Sequence, residues 1–213
     1  MDREEFMHIL GAIVLLFVVI AFADILSGKY FSLGLAFVFA VVIIAVSIIG
    51  KKVMASLLDT DVKHRMWTFS QWGIRQQQHF DRPMPSGIIL PLVITLLTGG
   101  VVKIMTFLTY ETSAKTSRAA KRSGFYSYAE MTDWDNALIG AAGIVSVLAL
   151  AVITYFLPAQ LEQLTGLAIG YAFWNMLPVS DLDGTQIFFG SRVLYATLAA
   201  ITLVLALYAI AVV

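Results

Sequence analysis

The stretch that decides the fold is Leu33–Gly50, LGLAFVFAVVIIAVSIIG, which contains no charged side chain. A run of this length and composition is typical of a membrane-spanning helix, because about 20 apolar residues in a helix cross roughly 30 Å of hydrocarbon. The whole chain has the same character, with 59% of its 213 residues hydrophobic and 13% charged. Average soluble domains are about 45–50% apolar and about 25% charged. The sequence therefore predicts an integral membrane protein. Its first expected partner is the lipid bilayer, which would surround the apolar helices.

Five other apolar stretches also predict spans, namely Met7–Leu26, Ile88–Tyr110, Ala137–Leu157, Leu164–Leu177 and Ser191–Val213. Every backbone polar group needs a hydrogen-bond partner in lipid, and no strand-like alternation suggests a barrel, so we expect helices. The predicted fold is all-α, a single polytopic membrane domain over residues 1–213 with about six spans, in the cell membrane. Small residues between Gly140 and Ser146 would permit close contact between helices.

Two polar stretches, Lys51–Ser86 and Glu111–Asn136, separate these spans and both carry several basic residues. The positive-inside rule favours the cytoplasm for both, whereas a complete crossing by Ile88–Tyr110 puts them on opposite sides. We favour the crossing; the alternative is a re-entrant segment that turns near Gly99-Gly100, and orientation stays open. For the aromatic run Arg65–Trp72 we prefer an interfacial belt to an edge strand that receives an extended peptide.

Charge and cysteine content exclude several classes of partner and site. The formal net charge is zero, whereas a nucleic-acid partner would call for a clustered basic face. The chain has no cysteine, which excludes disulfides and thiolate metal ligands.

The motif with the most chemical content is Asn175–Gly184, NMLPVSDLDG, between the last two predicted spans. Acidic residues near membrane depth usually face a protein interior or a wet cavity. The simpler interpretation is an interfacial loop in which Asp181 and Asp183 are both solvated.

Asn-x-x-Pro followed by Leu-Asp-Gly is formed here by Asn175, Pro178, Leu182, Asp183 and Gly184. It resembles the third core motif of the site-2 proteases, which are intramembrane zinc metalloproteases. The resemblance implies that Asp183 occupies the place of the third zinc ligand and that the Asn-x-x-Pro region lies beside the substrate.

A second match supports this resemblance. Met131–Leu148 is similar to the family helix that carries Ala-Gly-Pro-x-x-Asn. Ala142-Gly143 match that pattern, while Ile144 and Val147 stand in the proline and asparagine places.

The chain departs from the family at the His-Glu-x-x-His motif, which a zinc hydrolase of this kind uses to bind the metal and activate water. Alignment with small archaeal members places Ser47 and Lys51 at the two histidine positions and Ile48 at the glutamate position. The histidines of this chain are His8, His64 and His79; they are widely spaced, and we expect them to be ordinary surface residues without a neighbouring glutamate.

The resemblance without the motif implies a catalytically inactive relative that needs no cofactor. Such a protein would act as a scaffold for another membrane protein or its transmembrane segment, or as a subunit of a membrane complex. Asp183 would cap the last helix or pair with Lys51. The alternatives are an active zinc protease with atypical ligands and a transporter or channel subunit.

Overall fold

The computed structural model describes residues 2–71, 79–115, 131–157 and 161–212. Most of this part of the chain is helical. Its helices are α1 (Arg3–Leu26), α2 (Leu33–Leu57), α3 (Ser86–Leu97), α4 (Asp133–Tyr155), α5 (Glu162–Asn175), α6 (Asp183–Gly190) and α7 (Arg192–Val212). Its strands are β1 (Thr60–Met66), β2 (Phe69–Gln71), β3 (His79–Met84) and β4 (Leu108–Ala114). Strand β1 pairs with β4, and β2 pairs with β3 in antiparallel fashion.

Four of the described helices are long enough and apolar enough to cross a membrane: α1, α2, α4 and α7. They match four of the six predicted spans. The predicted span Leu164–Leu177 corresponds to α5, which has 14 residues. At 1.5 Å per residue α5 is about 21 Å long, so by itself it is too short for a hydrocarbon core of roughly 30 Å.

The apolar run Ile88–Tyr110, predicted as a span, does not form one helix. Helix α3 ends at Leu97, and the next two glycines, Gly99 and Gly100, have φ angles of 63° and 85°. Glycine adopts this left-handed conformation without a steric penalty, so the pair that interrupts the apolar run also ends the helix. No regular element follows until β4 begins at Leu108.

After this turn the chain returns to the end at which α3 began. A Cβ atom on Gly87 would lie 2.8 Å from the carbonyl oxygen of Phe107, so the two backbones are in close contact. The backbone of Trp67 bridges them. Its main-chain N–H donates to the Phe107 carbonyl, and its main-chain carbonyl accepts from the N–H of Gly87. The segment from Ser86 to Phe107 therefore has the out-and-back path of the re-entrant alternative.

Most of the described residues of the polar stretch Lys51–Ser86 form regular elements. Helix α2 continues to Leu57, and the three strands β1, β2 and β3 follow, which corrects the purely α prediction. Along β1 the side chains of Thr60, Val62 and His64 are buried while the charged residues between them are exposed. This alternation is the period-2 pattern of a strand with one buried face. It was missed because threonine and histidine do not mark an apolar face.

The aromatic run Arg65–Trp72 does not form the predicted interfacial belt at Trp67, whose side chain is only 4% exposed. Trp72 lies outside the described residues, and so does the segment 116–130 of the second polar stretch.

By backbone contacts the chain divides into two compact units, Met1–Val42 with His64–Thr109, and Ile43–Lys63 with Tyr110–Val213. In the first unit α1 packs against α3. In the second unit α4 packs against α5 and α6, and α7 packs against the same two helices. The residues singled out by the family resemblance belong to the second unit.

Candidate functional site

The centre of the site is an ion pair between Lys51 on α2 and Asp183 at the start of α6. The Lys51 Nζ donates a hydrogen bond to Oδ1 of Asp183 at 2.8 Å and lies 2.7 Å from Oδ2. The two side chains are 2% and 0% exposed. The predicted pairing is confirmed, and Asp183 does not cap the last helix, because it lies in the first turn of α6 and not of α7.

The segment between α5 and α6 carries Asp183 into the interior. Asn175, the last residue of α5, is buried, and its Nδ2 donates to the Tyr171 carbonyl at 2.8 Å. The chain then turns through Ser180, which has a φ of 51°. Asp181 is exposed whereas Asp183 is fully buried. The prediction of a solvated loop therefore holds for Asp181 and is wrong for Asp183.

Gly184 makes this turn possible. A Cβ atom at this position would overlap the main-chain carbonyl group of Met176 and would lie 2.9 Å from the carbonyl oxygen of Leu177. The start of α6 therefore lies directly on the end of α5, and only glycine leaves room for that approach. Leu182, the residue before Asp183, is 2% exposed and anchors the same turn in the core.

Small residues of α4 bring α2 close to the site; the sequence predicted close helix contact at these residues without identifying the partner helix. A Cβ atom on Gly50 would lie 2.8 Å from the carbonyl oxygen of Ala142, and the Ser146 hydroxyl donates to the Val46 carbonyl at 3.1 Å. Gly143 faces Lys51 itself, because a Cβ atom there would lie 2.5 Å from Cε of the lysine. The aliphatic part of the Lys51 side chain thus runs along the backbone of α4.

Two tyrosines complete the surroundings of the ion pair. The ring centroid of Tyr110 lies 4.8 Å from the Lys51 Nζ, a distance at which the face of an aromatic ring attracts a cation. The Tyr110 hydroxyl donates to the Asn136 carbonyl at 2.7 Å, and Gln186 Nε2 donates to the Tyr110 carbonyl at 3.0 Å. These bonds tie β4 to both α4 and α6.

The second tyrosine is Tyr171, which lies beside α2. The Tyr171 side chain on α5 hydrogen-bonds to the side chain of Ser47, which is 2% exposed. Ser47 and Lys51 are four residues apart on α2 and share one helix face. This face is occupied by a hydroxyl and an ammonium group, and neither is a zinc ligand.

The side chains at the centre of the site form a buried ion pair. The described residues contain no group of three or more His, Asp and Glu side chains that could hold a metal ion. A catalytic zinc site uses three protein ligands and a water. Here the carboxylate of Asp183 is paired with the ammonium group of Lys51.

The expectation for the histidines is wrong for His64. Its side chain is 1% exposed, and its Nδ1 lies 3.1 Å from Oε1 of Glu5, a residue 59 positions away. A buried glutamate–histidine pair therefore exists in the first unit. The sequence contained no local signal for it, because the two residues come from α1 and β1. The side chain of His79 lies outside the described residues.

Sequence reasoning also missed Tyr110 and Tyr171, which lie in apolar stretches and look like ordinary membrane-facing bulk. Their closeness to Lys51 and Ser47 depends on how β4 and α5 pack.

Comparisons with protein-family models, with curated proteins and with solved structures find no match to this chain.

Proposed function

We propose that this chain is a multi-pass membrane protein without protease activity, with a helix arrangement similar to that of the site-2 proteases. It acts as a scaffold that holds another membrane protein or its transmembrane segment, or as a subunit of a membrane complex. The observation that carries this proposal is the buried pair of Lys51 and Asp183. The aspartate of the Leu-Asp-Gly motif is held by an ammonium group where the resembling proteases have a metal ion.

In the proposal, the ammonium group of Lys51 supplies the positive charge that a zinc ion supplies in the resembling proteases. The motif residues around Asp183 can therefore support the fold without zinc. A buried carboxylate is costly unless a partner neutralises it and donates hydrogen bonds to it. Lys51 does both. Gly143 leaves the space that the Lys51 side chain requires, and Gly184 lets the start of α6 approach the end of α5. In the proposal, the site therefore supports the fold and has no chemical step to perform.

The path of the chain supports the membrane part of the proposal. A segment that turns back after α3 leaves β1 and β4, the paired strands of the two polar stretches, on one side of the bilayer, as the positive-inside rule favours. Helix α7 buries only 11% of its most apolar part, so most of its surface is available to lipid or to a partner helix.

The proposal predicts that zinc binding can be restored by rebuilding the motif. In the variant with Ser47→His, Ile48→Glu and Lys51→His together, two imidazoles would share a helix face beside the carboxylate of Asp183, which is the ligand set of a catalytic zinc site. We expect this variant to retain one zinc ion per chain after dialysis, and the wild-type chain to retain none. Metal analysis of the protein purified in detergent measures both.

The matched control adds Asp183→Ala to the same triple variant and should lower zinc retention, because one of three protein ligands is removed. Stoichiometric zinc in the wild-type chain, lost on Asp183→Ala, would instead support an active protease with atypical ligands. A triple variant that folds and holds no zinc would contradict the correspondence between Ser47, Ile48, Lys51 and the family motif.

The scaffold role is tested separately by purification from the native membrane in a mild detergent. We expect a second membrane protein in stoichiometric amount. A chain that elutes alone at every detergent concentration would contradict the role.

A further inference from the structure

A pocket in the second unit lies away from the ion pair, between α4, α5 and α7. Its volume is about 240 Å³. Its walls include Ala151 and Val152 of α4, Thr165 and Ile169 of α5, and Leu205 and Tyr208 of α7.

The pocket offers almost only hydrocarbon contact. The eight side chains that line it are all uncharged. The hydroxyl of Thr165 lies 2.8 Å from that of Thr154 in a buried hydrogen bond. At the rim, the hydroxyls of Tyr155 and Tyr208 lie 2.7 Å apart. Because these four hydroxyls already have partners, a polar ligand would lose its water without gaining equivalent hydrogen bonds.

The depth of the pocket follows from the direction of α4 and α7. A Cβ atom on Gly190, just before α7, would overlap the carbonyl group of Asp133 at the start of α4, so both helices begin at the same end. Tyr155 and Tyr208 meet at the other end. At 1.5 Å per residue this separation is about 33 Å along α4, from Asp133 to Tyr155, and about 24 Å along α7, from Arg192 to Tyr208. In a hydrocarbon core of roughly 30 Å the tyrosine pair therefore lies in the half nearer one interface, and tyrosine is common at interfaces.

We infer that this pocket binds one acyl chain of a bilayer phospholipid, with the head group beyond the Tyr155–Tyr208 pair. Only a flexible hydrocarbon chain matches the lining, because an extended peptide would bring backbone amides that find no partner there. A transmembrane helix is about 10 Å wide with its side chains and cannot enter a space of about 240 Å³. The inference rests on the proposed membrane location. It does not depend on whether the site at Lys51 and Asp183 binds a metal ion.

The test is to fill the pocket from its wall with Val152→Trp. The matched control is Val145→Trp on the same helix, because the two valines are similarly exposed, at 50% and 48%, and only Val152 lines the pocket. Each protein is reconstituted in palmitoyl-oleoyl-phosphatidylcholine, extracted in mild detergent and weighed by native mass spectrometry. We expect one retained phospholipid in the wild-type chain and in Val145→Trp, and a fall of about tenfold in the lipid-bound fraction for Val152→Trp.

Circular dichroism verifies that both variants fold. Equal lipid retention in the three proteins would overturn the inference. So would a wild-type mass that shows a second copy of the chain, lost in Val152→Trp, in place of the phospholipid. If the wild-type chain proves to hold zinc, the proposed function fails while this result stands, because the pocket contains no residue of the ion-pair site.

Discussion

Replacing Asp183 with alanine is expected to lower the free energy of unfolding by about 3–5 kcal/mol, which is typical when one partner of a buried ion pair is removed. The ammonium group of Lys51 would stay buried, at 2% exposure, with the Tyr110 ring as a weak replacement for the carboxylate. Reversible unfolding in mixed micelles, followed by circular dichroism, measures the loss. Among the changes discussed here we expect this one to have the largest effect.

A double-mutant cycle separates the pair from the general effect of each substitution. Lys51→Met keeps the aliphatic contact with α4 but leaves Asp183 buried without its cation, so we expect a loss of similar size. When Lys51→Met and Asp183→Ala are combined, no buried charge is left unpaired, and the loss should be smaller than the sum of the two single losses. Additive losses would show that the pair contributes no coupling energy.

The control for this cycle is Asp181→Ala. Asp181 is a carboxylate in the same turn and is exposed to solvent, so we expect a change within about 0.5 kcal/mol. A loss as large as that of Asp183→Ala would mean that any change in this turn disrupts the fold, and the special role of Asp183 would then be wrong.

The second large effect is expected for Gly184→Ala, at about 1–3 kcal/mol, the usual range for forcing an extra methyl group into a packed interior. The added carbon would overlap the main-chain carbonyl group of Met176. Main-chain atoms of a helix end cannot rotate away as a side chain can, so α6 must move and carry Asp183 away from Lys51. The loss in unfolding free energy should therefore be smaller in the Lys51→Met background, where no ion pair remains to be broken.

Gly34→Ala is the matched control for this substitution. A Cβ atom on Gly34 would meet no atom within 4 Å, and the residue lies near the start of α2, where alanine is favoured over glycine by roughly 0.5–1 kcal/mol. We expect a neutral or slightly stabilising effect. If Gly184→Ala proves equally harmless, the close approach of α6 to the end of α5 is not required for the fold.

The local sequence predicted best where length and apolar character alone decide the structure. Leu33–Gly50 and three other long apolar stretches correspond to helices that can cross a membrane, because no shorter or more polar structure can hide that many apolar side chains. Close helix contact at Gly143 and Ser146 was also predictable, since small residues allow helix backbones to approach, but the sequence did not identify α2 as the partner. The pairing of Lys51 with Asp183 was predicted only through the resemblance to a protease family.

Two of the predicted spans do not correspond to helices of membrane length, because two structures compete for the same composition. The apolar run Ile88–Tyr110 is long enough for a span, yet Gly99 and Gly100 turn the chain back. Leu164–Leu177 is equally apolar, but the helix at this position is short and more than half of its residues are buried in the second unit. In both cases hydrophobicity shows that a segment avoids water, but not whether lipid or protein covers it.

The sequence by itself determined that this chain has membrane-length helices, that it contains no His-Glu-x-x-His motif, and that a glycine follows Asp183. Tertiary structure alone decided which groups meet. Lys51 and Asp183 are separated by 132 positions, and Glu5 and His64 by 59. Local propensity acts over a few residues, whereas a buried charge is stabilised by whichever distant side chain the packing brings within about 3 Å.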